Sequence, residues 1–344
     1  MMKIYRKTNL TRDNKMAQPT KILSEVISHI RNNTTVMKSS ELATLSDLST
    51  ENIIQVRIAW EFLPAERKRS IAERLTELAD SNTTLSFDNL FRFMLNDKDE
   101  QTKILAIRGL WENEQPSLLE PLVRLMEKDR SQEVRAEAAA ALGKYALLVE
   151  LGQLREAFAV RLTNALYKIL EDPTENTLVK ARALESIAPI SCEKVTEVIK
   201  QAYVSGNKKL KIAAIYAMGK SAKLMWLPVI VTELTSEEPE ERYEAITACG
   251  EMEDEGAVSY LRQCVHDDDL EVRLAIVEAL RKIGGREAKI LLNEMVVDDN
   301  ESVSGAVKEA ILEMDEYTLP KHKTDDSDII EEEEEDDLDS FCAS

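Results

Sequence analysis

Few side chains in this sequence are of the types that bind metal ions or perform acid–base catalysis near neutral pH. The 344 residues include three histidines, His29, His266 and His322. They are scattered over an N-terminal helical segment, a boundary beside Asp267 and the last part of the chain. A two-histidine metal site needs its ligands close together, as in the HExxH pattern. The sequence therefore predicts no metal site.

The four cysteines also lack the spacing of a reactive or metal-binding set. No CxxC pair occurs among Cys192, Cys249, Cys264 and Cys342, and four in this length do not form a disulfide framework. Cys249 and Cys264 fall on apolar faces of predicted helices, where we expect buried free thiols. Neither a secretory signal nor an apolar run approaching 18 residues occurs. These features predict a reduced, cytoplasmic setting with no membrane partner.

Sequence patterns of the common enzyme classes are missing as well. The patterns GxxxxGK[ST], GxGxxG after a strand, HExxH and GxSxG do not occur. Without them, the nucleotide-binding, dinucleotide-binding, zinc-protease and serine-hydrolase interpretations have no support. We expect a protein that is not an enzyme and that holds no cofactor.

Charge is unevenly distributed along the chain. The net charge is -20, and eleven acidic residues with no basic one lie within 325–339. The first fifteen residues carry +4, although Met16 is an alternative to Met1 as the start. Charge-rich segments with few apolar residues do not fold alone, so we expect disorder in a basic leader, 1–20, and an acidic tail, 318–344. The tail has two possible roles, as a solubilising segment or as an interaction segment.

A short phrase recurs through the middle of the chain, typically Val-Arg or a close variant. The second residues of its copies are Arg135, Lys180, Lys211, Arg242, Arg273 and Ser304. The last four intervals are each 31 residues. Small or apolar residues follow three, four and seven positions later, which is one face of an α-helix. A second amphipathic helix follows in each unit, so the sequence predicts a repeated helix pair of about 31 residues.

This phrase, with Ala-Ala and Leu-Gly after it, resembles the HEAT repeat, in particular the short variety of bacterial phycobilin-lyase-like proteins. The resemblance covers Asp97 to Tyr317. It implies an all-α fold, an α-solenoid of antiparallel helix pairs, over 97–317, with 21–96 as an N-terminal helical cap. HEAT-repeat deoxyhypusine hydroxylases need several His-Glu pairs, which this chain lacks, and HEAT-like DNA glycosylases need a basic concave face. The repeats here are acidic, which disfavours nucleic-acid binding.

Three structural expectations accompany this fold. The recurrent basic residues should form a ladder of ion pairs with acidic groups at neighbouring turns. The glycines that follow the phrase, Gly143, Gly219, Gly250 and, slightly later, Gly284, should end their helices in the left-handed conformation. The interval of 45 residues before Lys180 predicts added helix within 143–170, which either bends the superhelix or forms a ledge for a partner.

The N-terminal cap is predicted to contain four helices, Ile22–Ile30, Glu51–Phe62, Ala65–Ala79 and Ser86–Leu95, with Ser39–Ser49 as a polar connection. Its aromatic residues should seal the end of the solenoid, which an exposed repeat requires. They are Trp60, Phe62, Phe87, Phe91 and Phe93.

The second helices of the units are expected to line the concave surface and to hold a partner there. The candidate partner-binding residues on these helices are Arg124, Lys128, Lys168, Lys200, Glu233, Arg262, Gln263 and Glu294. The predicted function is a non-catalytic protein-binding scaffold, and the protein itself is expected to be a monomer. Its partner is another protein, with basic proteins among the candidates. The alternatives are a chaperone-like protein and a lyase-associated subunit that acts on a partner protein.

Overall fold

A computed structural model describes residues 17–32 and 36–318. Residues 1–16 of the predicted leader and nearly all of the predicted tail lie outside these residues, whereas residues 17–20 belong to the first helix. The described residues form α-helices and short 3-10 turns, with no strand. The α-helices are α1 (Ala17–Arg31), α2 (Ser39–Ala43), α3 (Thr50–Trp60), α4 (Ala65–Ser81), α5 (Asp88–Met94), α6 (Glu100–Gly109), α7 (Leu119–Lys128), α8 (Gln132–Ala141), α9 (Gly143–Glu150), α10 (Glu156–Glu171), α11 (Thr177–Ile187), α12 (Glu193–Tyr203), α13 (Lys208–Lys220), α14 (Leu227–Glu233), α15 (Pro239–Met252), α16 (Val258–Leu261), α17 (Leu270–Ile283), α18 (Gly285–Met295) and α19 (Glu301–Thr318).

The helices that carry the recurring phrase begin at side-chain caps. Asp99, Ser131, Asn176, Asn207 and Asp269 each accept a hydrogen bond from a backbone N–H in the first turn of the helix that follows. Such a cap satisfies one of the N–H groups that the first turn leaves without a partner and typically stabilises a helix by about 1 kcal/mol. In these five helices the polar residue before the phrase therefore fixes where the helix begins, whereas Glu238 before α15 makes no such bond.

Two layers of helices form the solenoid. The inner layer is defined as α6, α8, α11, α13, α15, α17 and α19, which carry the phrase and pack against one another in chain order. The outer layer is defined as α5, α7, α10, α12, α14, α16 and α18. Each outer helix packs on the inner helix that follows it in the chain, and among the outer helices only α7 and α10 contact each other extensively. Helices that lie closer together on one side curve the array toward that side, so the inner layer forms the concave face.

Small residues produce this close approach. A Cβ atom added to Gly219 would lie 2.6 Å from Cα of Ala248, and one added to Gly250 would lie 2.8 Å from Cα of Ala279. The prediction that the glycines after the phrase end their helices with a positive φ is wrong for Gly219 and Gly250, which lie inside α13 and α15, and for Gly143, which begins α9. Gly284 does end α17, with a φ of 68°. The prediction that the second helices line the concave surface is also wrong, because these helices approach one another less closely than the inner-layer helices do.

The predicted ladder of ion pairs joins consecutive units. Arg135 Nη2 lies 2.8 Å from Glu175, Arg242 Nε lies 2.6 Å from Asp267, and Arg273 Nε lies 3.1 Å from Asp298. Lys211 lies 2.8 Å from both Glu233 and Glu241. The ladder is confirmed for these four basic residues. Lys180, the fifth, forms no such pair with any described residue.

The N-terminal cap differs from its prediction in two places. The segment expected to be a polar connection contains α2, and it buries Leu42 and Leu45 completely. Of the five aromatic residues, Trp60, Phe87 and Phe91 are buried, but the side chain of Phe62 is 81% exposed because it follows the end of α3. The prediction that Phe62 seals the solenoid is therefore wrong.

The longer unit is helical, as predicted. Its added residues form α9 and the first part of α10. Tyr145 is fully buried, and its hydroxyl lies 3.2 Å from the carbonyl oxygen of Asn113 and 3.1 Å from that of Gln115. These bonds attach the added helix to the loop between α6 and α7, so it is a fixed part of the concave face.

Candidate functional site

A groove of about 1040 Å³ crosses the middle of the inner layer. We call it the inner groove. It is formed by α8, α9, α11, α13 and α15 together with the end of α6. The lining residues that matter most for its chemistry are Trp111, Leu147, Arg182, Tyr216, Tyr243 and Glu244. Every one of these side chains is held by a helix or a turn of the rigid repeat array, so the groove is preformed.

Large apolar side chains are exposed along this groove. The exposed fractions are 62% for Trp111, 49% for Leu147 and 40% for Tyr243. Tyr216 lies between them and is half-buried, and burial raises the pKa of its hydroxyl to about 12. Aromatic side chains present much apolar area with few rotatable bonds, which is why protein interfaces are rich in Trp and Tyr. The inner groove therefore has the surface of a binding site.

Glu244 gives the groove an unsatisfied carboxyl group. Its Oε1 atom is buried and has no hydrogen-bond partner among the described residues. The pKa of this carboxyl is raised to about 7, chiefly by burial and also by the neighbouring Glu185, while Arg182 opposes the shift. Burial raises the pKa of Glu185 too, against the hydrogen bond that Arg182 donates over 2.6 Å. A donor supplied from outside would satisfy Glu244.

The other charges on this face are mostly compensated by the neighbouring helix. Glu251 lies 2.5 Å from Lys220 and 2.6 Å from Lys282, so one carboxylate joins α13, α15 and α17. Arg108 and Glu137 pair at 2.9 Å between α6 and α8. In each of these pairs the opposite charges neutralise each other. Glu244 differs from them because its buried Oε1 atom has no hydrogen-bond partner among the described residues.

A sequence match identifies the type of repeat. The family model for HEAT repeats matches residues 87–160 and 227–311. This chain contains HEAT repeats. The two matched segments contain the first and the last helices of the inner layer. The inner groove is lined by residues of both segments and by residues of the chain between them.

Several solved structures are similar to this chain at low sequence identity. Human deoxyhypusine hydroxylase in complex with glycerol aligns at 17% identity over 87% of this chain and 97% of that one, with a TM-score of 0.35. A designed armadillo repeat protein in complex with the peptide (KR)4 aligns at 25% identity over 65% and 98%, with a TM-score of 0.30. An engineered protein aligns at 21% identity over 58% and 96%, with a TM-score of 0.37. No curated protein sequence matches the chain.

The candidate residues predicted from the HEAT repeats lie in the outer layer and its turns, away from the inner groove. Lys128, Lys200 and Gln263 are exposed. Lys168 is also exposed and lies 3.6 Å from Glu127. These side chains are distributed over several units, so the structure does not bring them together. Their role in partner binding stays a prediction.

The remaining four candidates have partners within the HEAT-repeat array. Arg124 donates a hydrogen bond of 2.8 Å to the side chain of Asn96. Arg262 and Glu294 pair with each other at 2.6 Å on the surface. Glu233 is buried, pairs with Lys211 and accepts a hydrogen bond from the hydroxyl of Tyr203. Glu233 is thus a component of the ion-pair ladder.

Residues 17–32 and 36–318 hold neither a metal-ligating cluster nor a membrane-spanning helix. This part of the HEAT-repeat chain contains no cluster of three or more His, Cys, Asp or Glu side chains that could hold a metal ion. None of its helices has the length and apolar character needed to cross a bilayer. Cys249 and Cys264 are buried free thiols, as predicted, and burial raises their pKa values to about 12 and about 11. Such thiols are poor nucleophiles near neutral pH.

Proposed function

We propose that this protein is a non-catalytic scaffold that holds a segment of a partner protein in the inner groove. The HEAT-repeat fold supports a role in protein interaction. One observation supports the inner groove as the binding site. The exposed side chains of Trp111, Leu147 and Tyr243 line the same groove as the unsatisfied carboxyl group of Glu244. A preformed groove limits the entropy lost on binding, because its own side chains need little ordering.

The chemistry of the groove favours a partner segment with a cationic side chain between apolar ones. A lysine or arginine that reached Glu244 would donate to the empty acceptor Oε1. It would also favour the ionised carboxylate and so lower the pKa that burial has raised to about 7. The apolar part of the same side chain would pack on Tyr216 and Tyr243. A basic protein is therefore the expected partner.

Site-specific photo-crosslinking tests this proposal. A photoreactive phenylalanine analogue is placed at Tyr243 in the groove, and in a separate protein at Lys200 on the outer layer. Both proteins are exposed to native lysate and illuminated, and the adducts are separated by mass. We expect a defined protein adduct from the Tyr243 position that is absent from the Lys200 position.

A variant that removes the charge of the acceptor sharpens the result. Glu244→Gln keeps the shape of the side chain but removes its charge, and we expect it to weaken the Tyr243 adduct by about tenfold, as for the loss of one charge-assisted hydrogen bond. An adduct formed only at Lys200 would show that the partner binds the outer layer, where the residues predicted from sequence lie. That outcome would rule out the groove.

A further inference from the structure

One turn that lines the inner groove is held by α9, the added helix of the longer unit. Helix α6 ends at Gly109, and residues 110–115 connect it to the 3-10 turn before α7. We call residues 110–115 the Trp111 turn. Trp111 lines the groove and is 62% exposed. Because a turn residue is not fixed by a helix of its own, the direction of this ring depends on what holds the backbone of the turn.

Two consecutive side chains of α9 hold this backbone. The ammonium of Lys144 donates to the carbonyl oxygens of Leu110 and Trp111, at 2.7 and 2.8 Å. The hydroxyl of Tyr145 contacts two further carbonyl oxygens of the turn, at 3.2 and 3.1 Å. The added helix therefore contacts the Trp111 turn along most of its length.

The corresponding lysines of other units have a different role. Lys144 stands nine residues after the second residue of its phrase, and Lys220 and Lys282 occupy the same position in later units. Both of those lysines pair with the carboxylate of Glu251, at 2.5 and 2.6 Å. Lys144 forms no ion pair with any described residue and bonds to backbone carbonyl groups instead. The lysine that elsewhere joins two units by charge thus holds the Trp111 turn.

The surroundings of Lys144 accommodate its charge without a paired carboxylate. Burial lowers the pKa of its amine to about 8, although Glu114 and Asp88 oppose this shift. At neutral pH the group is therefore still an ammonium. Its Nζ atom lies 5.4 Å from the ring centroid of Tyr145, where the electrons of the ring stabilise a cation. Because a charged donor forms stronger hydrogen bonds than a neutral one, the two bonds of Lys144 are the stronger part of the attachment.

We propose that Lys144 is a positioning residue, which holds the Trp111 turn so that the ring of Trp111 faces the inner groove. The importance of this ring for a partner rests on the proposed scaffold function, whereas its position in the free protein does not. Without Lys144, two carbonyl groups at the end of α6 lose their donor and turn toward water, and the indole moves with the backbone. The added helix is thereby part of the binding surface.

Fluorine NMR of the free protein tests the position of the ring. The three tryptophans, Trp60, Trp111 and Trp226, are replaced by fluorotryptophan, and Trp111→Phe identifies the resonance of Trp111. In Lys144→Met we expect that resonance to move toward its position in the urea-unfolded protein. The resonances of the buried Trp60 and Trp226 should stay in place, which shows that the array remains folded.

Further variants separate hydrogen bonding from charge. Lys144→Arg keeps the charge and the donors and should leave the Trp111 resonance near its wild-type position. Lys209→Met removes an exposed charge from the same groove and should also leave it unchanged. If Lys144→Met does not fold, Tyr145→Phe removes the other attachment of the turn and should shift the resonance in the same direction.

Partner binding is measured through the photo-adduct at Tyr243. Trp111→Ala should lower the yield of this adduct by about tenfold, as for an interface tryptophan, and Lys144→Met should lower it by about threefold or more. In the Trp111→Ala background, Lys144→Met should lower it by less than about 1.5-fold, because a residue that acts through the ring has no effect once the ring is gone.

Three results would overturn this inference. One is an unshifted Trp111 resonance in both Lys144→Met and Tyr145→Phe, and another is an equal shift in Lys144→Met and Lys144→Arg. The third is an additive loss of the adduct in the double variant, which would show that Lys144 contacts the partner directly. The NMR result requires no partner. If the wild type forms no adduct at Tyr243, the proposed function fails while the position of the ring is still decided.

Discussion

At the scale of single residues, the burial of a carboxyl group has a measurable cost at neutral pH. The pKa of Glu244 is raised from 4.5 to about 7, chiefly by burial. Below pH 4.5 this group is protonated in both the folded and the unfolded chain, so it costs nothing. As the pH rises toward 7, the unfolded chain gains from ionisation and the folded chain does not. The stability contribution of Glu244 therefore falls over this range and stays unfavourable above it.

Glu244→Gln should consequently stabilise the protein at pH 8. We expect a gain of about 2 kcal/mol in the free energy of unfolding at pH 8, and almost none at pH 4, measured by urea denaturation at both values. Glu271→Gln is the matched control, because Glu271 is exposed on the same face, and it should change the free energy by less than about 0.5 kcal/mol at either pH. A gain that did not depend on pH would contradict a buried, protonated Glu244.

Two arginines that both form ion pairs differ in what they contribute. Arg242 bonds to Asp267 through Nε and Nη2 at 2.6 and 2.7 Å, and through Nη1 to the carbonyl oxygen of Ser236 at 2.8 Å. The side chains of Arg242 and Asp267 are only 15% and 8% exposed. Arg262 and Glu294, by contrast, are 49% and 47% exposed. Only the first pair leaves a buried charge behind when it is broken.

Arg242→Ala is therefore expected to lower the free energy of unfolding by about 3 kcal/mol. The same substitution at Arg262 should cost less than about 1 kcal/mol, because solvent replaces the lost partner. Chemical denaturation of the two variants side by side measures the difference. Equal losses would mean that the ladder at the unit junctions is no more important than a surface pair.

At the scale of helices, the curvature depends on two glycines that admit the neighbouring backbone. Gly219→Ala would place a Cβ atom 2.6 Å from Cα of Ala248, so α13 and α15 must move apart. We expect a loss of about 2 kcal/mol in stability. Gly305 in α19 has open space where the Cβ atom would lie, and Gly305→Ala should stabilise by about 1 kcal/mol through helix propensity. Opposite signs in thermal denaturation would confirm the packing, whereas two stabilised variants would refute it.

The sequence predicted the helix pairs and the ladder because both are local or strictly periodic. Arg135, Arg242 and Arg273 recur at fixed positions, and the acidic partners lie in the turns between units. It did not predict which layer is concave, because that depends on how closely Gly219 and Ala248 approach across units. Because the second helices were predicted to be concave, the predicted site residues lie on the outer layer. Tyr216, Tyr243 and Glu244 on the inner helices were therefore not predicted.

Short helices and helix ends could not be predicted from the periodicity of apolar residues either. Helix α2 has five residues, which is too few to show a 3.6-residue repeat, so its buried Leu42 was assigned to a polar connection. Phe62 was predicted to belong to a helix, but α3 ends at Trp60. The side chain of Phe62 is therefore exposed to solvent. Boundaries of this kind depend on tertiary packing against α1 and α4.

At the scale of the whole molecule, each unit is stabilised mainly by its immediate neighbours. The ion pairs of the ladder and the inner-layer contacts join consecutive units. In such an array the stability is close to a sum of unit terms and nearest-neighbour terms. A cavity at one end should therefore loosen that end and leave the other nearly unchanged.

Val307→Ala tests this expectation at the C-terminal end, where Val307 in α19 is fully buried. Removing two methyl groups from this site should cost about 2 kcal/mol, or roughly 30-fold in the hydrogen-exchange rates of α17–α19, with little change in α4–α6. Leu75→Ala in α4, also fully buried, is the mirror variant and should accelerate exchange at the N-terminal end. Uniform acceleration across all helices in either variant would mean that the solenoid opens as one cooperative unit. The inner groove, which lies between the two ends, would then lose its shape whenever either end frayed, whereas local opening would keep it intact for a partner.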